Sequence, residues 1–136
     1  MLKRIKKYRL IFFCIILISG YVGCDDTLTP NDVDNRVIPD SNVSFSKDIS
    51  PVFELKCISC HGNGRYDASL DLTNPSRFVD GLIVVPGTPE TSILVWRIDP
   101  KYGTDPMPPI NSAYLPLTQN QIRGVVTWID EGAKNN

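Results

Sequence analysis

Three residues near the middle of the chain have the types and spacing that cofactor chemistry requires. They lie in the segment Cys57-Ile58-Ser59-Cys60-His61, which has the form C-x-x-C-H. This pattern is the attachment signature of c-type haem. Two thiols separated by two residues lie on one helical turn and can add to the two vinyl groups on one edge of a porphyrin. The motif predicts one covalent haem c, with Cys57 and Cys60 as the thioether residues and His61 as the proximal iron ligand.

Other uses of this motif fit the sequence less well. A closed structural zinc site needs four ligands, and the expected folded domain has no further Cys or His. A thioredoxin-like redox motif belongs in a βαβ pattern, which the sequence lacks. A disulfide between Cys57 and Cys60 in an unmodified exported chain is the remaining alternative. Because His61 is the only histidine, any site that needs two histidines from one chain is excluded.

Met107 is the candidate distal ligand of the iron. It is the only methionine besides Met1, and the pairing of Met with His is found in cytochromes c. Prolines flank it at 106, 108 and 109, and each fixes its own φ. This setting suits a loop that holds a thioether in place, whereas packing in a core gap is the usual role of methionine. Lys101, a tyrosine or water remain alternative ligands.

Further contacts to the haem can be suggested from residue type. The second ring nitrogen of His61 is expected to donate to a backbone carbonyl near Pro86, which would fix the tautomer. Trp96 is a candidate to line the haem crevice, and so is Trp128, for which core packing is the preferred role. Three side chains are candidates to hold the haem propionates, with solvated surface as the alternative for the arginines: Arg65, Arg97 and Tyr102.

The first 24 residues have the pattern of an export signal. Five of the fourteen basic residues fall within the first nine positions, and residues 10–19 are almost wholly apolar. This apolar run is shorter than the roughly 20 residues that span a bilayer. The pattern predicts a signal peptide over residues 1–23, and its likeness to a bacterial lipobox predicts lipidation of Cys24. A transmembrane anchor, or a secreted protein cut elsewhere, are the alternatives.

Charge and composition describe the remainder of the chain. After the first nine residues, nine basic residues face fifteen acidic ones, which gives a net charge of −6. The chain therefore lacks the basic surface of a nucleic-acid binder. The acidic stretch up to residue 43 has no helical or strand period. Residues 24–43 are predicted to be a lipidated, flexible acidic tether, with an ordered arm packed on the domain as the alternative.

The remaining domain, residues 44–133, is expected to contain three helices. One lies near Lys47–Cys57, the second near Pro89–Ile98, and the third follows Thr118, which begins a capping-box sequence. Leu82–Val85 is expected to form a short strand. Many prolines interrupt the rest, so the core is thin and calls for a bound group. The fold class is predicted as all-α, with three main helices and long loops around one haem.

Several segments resemble small class I-like cytochrome c domains of the planctomycete type, which are also common in Bacteroidetes lipoproteins. The resemblance covers about Ser44–Ala133 and is carried by Phe45–Phe53, Cys57–Gly62, Leu70–Leu72, Val84–Glu90, Met107–Pro109, Leu117–Thr118 and Trp128–Ala133. It implies a small cytochrome c-like fold. It also implies that the haem is held by Cys57, Cys60, His61 and Met107.

These observations predict a membrane-tethered monohaem c-type cytochrome that carries single electrons between exported redox proteins. The lipid anchor places it in the bacterial cell envelope, on the periplasmic or outer-membrane side. An iron that is ligated by both His61 and Met107 has no open position, so an electron carrier is expected and not an enzyme. The alternatives are a haem-based sensor or weak peroxidase with a displaceable Met107, and a haem domain that acts mainly in assembly of a larger complex.

Overall fold

A computed structural model describes residues 27–136, so the predicted signal peptide and Cys24 lie outside the described residues. The regular structure is mostly helical. The described residues contain four α-helices: α1 (Pro30–Asn35), α2 (Ser50–Lys56), α3 (Ile93–Ile98) and α4 (Gln119–Asp130). Between residues 27 and 136, none of these helices has the length and apolar character that crossing a membrane requires.

The first two predicted helices are each divided into two pieces. A π-helical turn, Phe45–Ile49, precedes α2, and Pro51 lies in the first turn of α2, where its missing N–H costs nothing. Pro89–Thr91 forms a separate 3₁₀ turn. The break before α3 comes at Ser92, whose backbone is extended, with φ −78° and ψ 121°. The buried hydroxyl of Ser92 accepts a hydrogen bond from the Val85 N–H at 2.9 Å, which ties the break to the preceding loop.

The third predicted helix, α4, forms as its sequence indicates. The Thr118 hydroxyl accepts from the Gln121 N–H at 3.2 Å, and the Gln121 side chain accepts from the Thr118 N–H at 2.9 Å. This reciprocal capping box satisfies two N–H groups at the start of the helix. The chain leaves α4 through Gly132, whose φ of 100° suits glycine. The buried apolar face of α4 consists of Ile122, Val125, Trp128 and Ile129.

The core under α4 is built around four aromatic rings. Neighbouring ring centroids lie 5.4 to 6.3 Å apart in tilted or edge-on arrangements. The rings belong to Phe45, Phe53, Phe78 and Trp128. Trp128 is 1% exposed, and its indole N–H donates to the Lys134 carbonyl at 2.9 Å. Trp128 therefore packs in the core, which is the role preferred from the sequence over lining the haem crevice.

The prediction of a strand at Leu82–Val85 is wrong. These residues form an irregular loop because the Asp80 carboxylate accepts from the N–H groups of Leu82 and Ile83, at 2.9 and 2.7 Å. Such a local side-chain to backbone arrangement competes with strand formation.

Two short strands in the described residues lie elsewhere, at β1 (His61–Gly62) and β2 (Arg65–Tyr66). They pair in antiparallel fashion, with His61 opposite Tyr66. Asn63 and Gly64 connect them with φ values of 50° and 94°. Positive φ at both central residues is the requirement of a two-residue hairpin turn, and an Asn-Gly pair is its sequence signal.

The tether prediction is wrong over residues 30–43, which form an ordered arm on the surface of the domain. Thr29 caps α1, the first element of the arm, in a reciprocal arrangement with Asp32. The arm, residues 30–43, exposes Val37 but packs three other apolar side chains into the core, each only 1 to 2% exposed: Val33, Ile38 and Val43. These three residues are five positions apart, a spacing that matches neither helix nor strand, so periodicity gives no signal for the packing.

A glycine in α4 allows the arm to approach closely. The Ile38 N–H donates to the Asn120 side chain at 2.8 Å, and the Asn120 amide donates back to the Ile38 carbonyl at 3.1 Å. Beside this pair, a Cβ added to Gly124 would lie only 2.6 Å from Cγ2 of Ile38. The arm therefore depends on a helix position that has no side chain.

Candidate functional site

The C-x-x-C-H motif forms one backbone turn that extends from the end of α2. The Cys57 N–H donates to the Phe53 carbonyl at 2.8 Å and closes the helix. The Cys57 carbonyl then accepts from the N–H groups of Cys60 and His61, at 3.1 and 2.9 Å. Cys57 and Cys60 are half-buried free thiols. One turn thus holds both sulfurs and the imidazole in a fixed relation.

The three motif residues line a cavity of about 410 Å³ together with Met107. Met107 lies far along the chain from the motif, so only the fold brings it to this cavity. The remaining wall comes from Lys56, from the segment 65–68 and from the loop 107–114. The volume of the cavity is within the range of about 300–1,000 Å³ that is typical of small-molecule and cofactor sites.

A backbone carbonyl orients the imidazole of His61. Its Nδ1 lies 2.9 Å from the Asp67 carbonyl oxygen, so Nδ1–H donates there and Nε2 keeps its lone pair for a metal. The expected partner near Pro86 is wrong. The hairpin between β1 and β2 turns the chain back and brings Asp67 to the histidine, and the Asp67 N–H also donates to the Cys60 carbonyl at 3.0 Å.

A glycine next to the histidine is required by packing. A Cβ on Gly62 would lie 2.6 Å from Cγ2 of Thr73 and 2.8 Å from Cγ2 of Ile58. The segment after the motif can therefore lie flat against the turn only without a side chain at this position.

Arg65 and Asp67 form a bidentate pair beside the imidazole. The Nε and Nη2 groups of Arg65 donate to the two carboxylate oxygens of Asp67, at 3.0 and 2.6 Å. The hydrogen bond from Arg65 lowers the pKa of Asp67 below its ordinary value and raises that of Arg65. Both side chains are exposed. Of the three candidates for propionate contacts, only Arg65 lines the cavity, whereas Arg97 and Tyr102 stand apart from it.

Arg97 does not lie at the cavity, where a contact to a haem propionate was expected, but at the base of the Met107 loop. It lies in the last turn of α3, and its carbonyl accepts from the Met107 N–H at 2.8 Å. Its guanidinium donates to the Asp105 carbonyl at 3.1 Å. Arg97 therefore anchors the start of the loop that carries Met107. Sequence reasoning gave no signal for this role, because both contacts use backbone carbonyls.

Trp96 does not line the cavity, so that expectation is wrong. Its indole N–H donates to the Glu90 carbonyl at 2.7 Å, and its ring lies 6.5 Å from the ring of Tyr102, centroid to centroid. A hydrogen bond to the neighbouring 3₁₀ turn holds this indole on the outer side of α3, with 37% of the residue exposed.

Burial favours the neutral form of the Cys57 thiol. Burial raises the pKa of Cys57 to about 12, and the nearby Lys56 ammonium opposes this only in part. A thiol with such a pKa is protonated at neutral pH and is a poor nucleophile without further activation.

The donor set at this cavity fits a c-type haem. Two thiols on one turn, an imidazole with an available Nε2 and a thioether share one space. In the described part of the chain, no group of three or more His, Cys, Asp or Glu side chains is arranged to hold a metal ion by itself. The zinc alternative therefore has no support in residues 27–136.

Comparison with known proteins agrees with this donor set. A family model described as Planctomycete cytochrome C matches residues 57–111. The match begins at the first cysteine of the motif and extends beyond Met107. Comparisons with curated proteins and with solved structures found no match.

Proposed function

Because the chain carries a planctomycete-type cytochrome c domain over residues 57–111, we propose that it is a monohaem c-type cytochrome that carries single electrons between exported redox proteins. The observation that supports this most directly is the shared cavity. Met107 and the C-x-x-C-H motif line the same cavity, although Cys57 and Met107 are fifty positions apart in the chain.

Each residue of the site has a separate task in this proposal. Cys57 and Cys60 would bind the haem covalently, and both sulfurs would act from the one turn that they share. His61 presents Nε2 to the iron because the Asp67 carbonyl holds Nδ1–H. Met107 would supply a soft thioether ligand from a loop anchored to Arg97. A haem with Met and His ligands supplies one-electron oxidation and reduction.

The proposal favours an electron carrier because Met107 would fill the coordination position that a reacting substrate needs. The chain's own residues bind and orient the haem and shield part of it from water. The small cytochrome c-like fold, with helices and long loops around one haem, belongs to the same proposal.

Membrane attachment rests on the sequence pattern around Cys24. If Cys24 carries lipid, the ordered arm changes the geometry of attachment. Pro30, the first residue of α1, follows Cys24 by six positions, and an extended chain of that length reaches at most about 22 Å. We propose that the domain works close to the membrane surface of the cell envelope, and that its partners are exported redox proteins that reach it there.

Expression of the full chain with a haem-attachment system tests the electron-carrier proposal. The protein should stain for haem on a denaturing gel, gain the mass of one haem and show a reversible one-electron titration. The Cys57→Ser, Cys60→Ser variant should lose the stain, while Ser59→Ala, inside the same motif, should keep it. A folded, colourless wild-type protein from such a strain would refute the proposal.

A further inference from the structure

Lys56 is a buried cation at the wall of the candidate haem site. Lys56 is only 5% exposed, and it lines the cavity next to Cys57. The ammonium donates to the Pro116 carbonyl at 3.0 Å. A buried ammonium is costly unless it is paired, so its partner is important.

The counter-charge comes from the ordered arm. Asp34, in α1, lies 2.6 Å from the Lys56 Nζ, and its side chain is 24% exposed. The fully buried Gln121 of α4 fixes the carboxylate by donating to it at 3.1 Å and to the Val33 carbonyl at 3.2 Å. The anion is thus held by two elements, and it does not line the cavity.

We propose that Lys56 and Asp34 form a charge pair that tunes the reduction potential of the haem site, with the cation at the cavity wall and the anion outside it. This inference rests on the proposed function. Oxidised iron carries one more positive charge than reduced iron, so a cation nearby favours the reduced form and an anion favours the oxidised form. The arm is then a part of the redox site, since it supplies the negative charge.

Removal of either charge alone should shift the midpoint potential of the haem, and the two shifts should have opposite signs. Asp34→Asn keeps an amide oxygen for the lysine and removes the negative charge, so the midpoint potential should rise. Lys56→Met removes the positive charge and leaves the carboxylate, so the midpoint potential should fall. Lys56→Gln should act in the same direction and can still donate to the Pro116 carbonyl. The double variant, Asp34→Asn with Lys56→Met, should lie between the single variants.

Another Lys–Asp ion pair, with an exposed lysine and away from the cavity, provides the control. Lys101 and Asp99 approach to 2.8 Å, and neither lines the cavity. Asp99→Asn and Lys101→Met should leave the midpoint potential close to that of the wild type. The measurements are potentiometric titrations of the haem-loaded full chain, with thermal unfolding recorded for each variant.

The outcomes separate this inference from the function on which it rests. Opposite shifts at Asp34 and Lys56, with no shift at the control pair, support it. A common direction for both single variants, or a reversible couple that none of them moves, overturns the inference and leaves the electron carrier standing. A wild-type chain without covalent haem overturns both.

Discussion

At the scale of single residues, backbone carbonyls position most of the candidate haem site. The Cys57 carbonyl accepts two N–H groups and forms the turn of the motif, the Asp67 carbonyl holds the imidazole, and the Arg97 carbonyl holds the backbone of Met107. Main-chain acceptors are available at every position whatever the side chain. The side chains that could bind haem can therefore be named from their residue types. The backbone carbonyls that orient them cannot be predicted in this way.

The role of Met107 can be tested by removing its thioether. Met107→Ala should keep the covalent haem, because Cys57, Cys60 and His61 are unchanged. Its midpoint potential should fall, since a soft neutral ligand favours ferrous iron, and its ferrous form should bind carbon monoxide readily. The wild type should show the weak far-red absorption band of methionine–iron ligation, and the variant should lack it.

A residue of the same loop supplies the control for this experiment. Ile110 is 87% exposed and does not line the cavity, so Ile110→Ala should retain the band and the potential. Fast binding of carbon monoxide by the wild type, unchanged in Met107→Ala, would mean that Met107 only packs against its neighbours. The sensor or peroxidase alternative would then be favoured over the electron carrier.

At the scale of elements, the arm and α4 depend on each other. The arm contributes buried Val33, Ile38 and Val43 to the core, and it supplies the carboxylate that pairs with Lys56. It reaches α4 only because Gly124 has no side chain. The stability of the arm and the electrostatics of the cavity are therefore linked through one helix position.

A methyl group at position 124 should weaken this contact. Alanine favours a helix over glycine by about 1 kcal/mol, but its Cβ would lie within 3 Å of two atoms of Ile38. Overpacking of this kind costs about 1–3 kcal/mol. Gly124→Ala should therefore lower or leave unchanged the free energy of unfolding, despite its helix propensity, and should make the arm more sensitive to proteases.

A double-mutant cycle isolates the clash between a Cβ at position 124 and Ile38. The free energy of unfolding is measured for each variant by denaturant titration. In an Ile38→Ala background, where the clashing atoms are gone, Gly124→Ala should be less costly or even stabilising. An equal effect of Gly124→Ala in both backgrounds would show that Ile38 is not the cause.

At the scale of the whole molecule, the described chain has its aromatic core and its candidate haem cavity in different places. Phe45, Phe53, Phe78 and Trp128 pack on one another, and none of them lines the cavity. Lys56, the last residue of α2, and Cys57, which follows it, line the cavity, whereas Phe53 on the same helix packs in the core. One short helix thus joins the hydrophobic core to the site.

Attachment to the membrane can be tested at Cys24. The wild-type chain should be recovered in the membrane fraction with a lipid mass on its first mature residue. Cys24→Ala should abolish that mass and leave the precursor uncut or the domain released. A soluble mature protein that retains an unmodified Cys24 would contradict the lipoprotein prediction. Asp25→Ala, directly after the lipidated position, is a control that should still be lipidated.

The candidate cofactor-binding motif and helix α4 can both be predicted from local sequence. Cys57, Cys60 and His61 adjoin in the chain, so one local turn is enough to place them. α4 has a capping box and an apolar face with a helical period, both of which are local signals. The family match over residues 57–111 agrees with the resemblance that these residues carry.

How distant segments meet depends on the fold as a whole. The buried side chains of the arm follow neither a helical nor a strand period, and its order depends on Asn120, Gln121 and Gly124 of α4. The pairing of Lys56 with Asp34 and the support of Met107 by Arg97 likewise join residues that no local pattern relates. The physical reason is that secondary-structure signals arise from neighbours in the chain, whereas charge pairing and close packing depend on which surfaces the fold brings together.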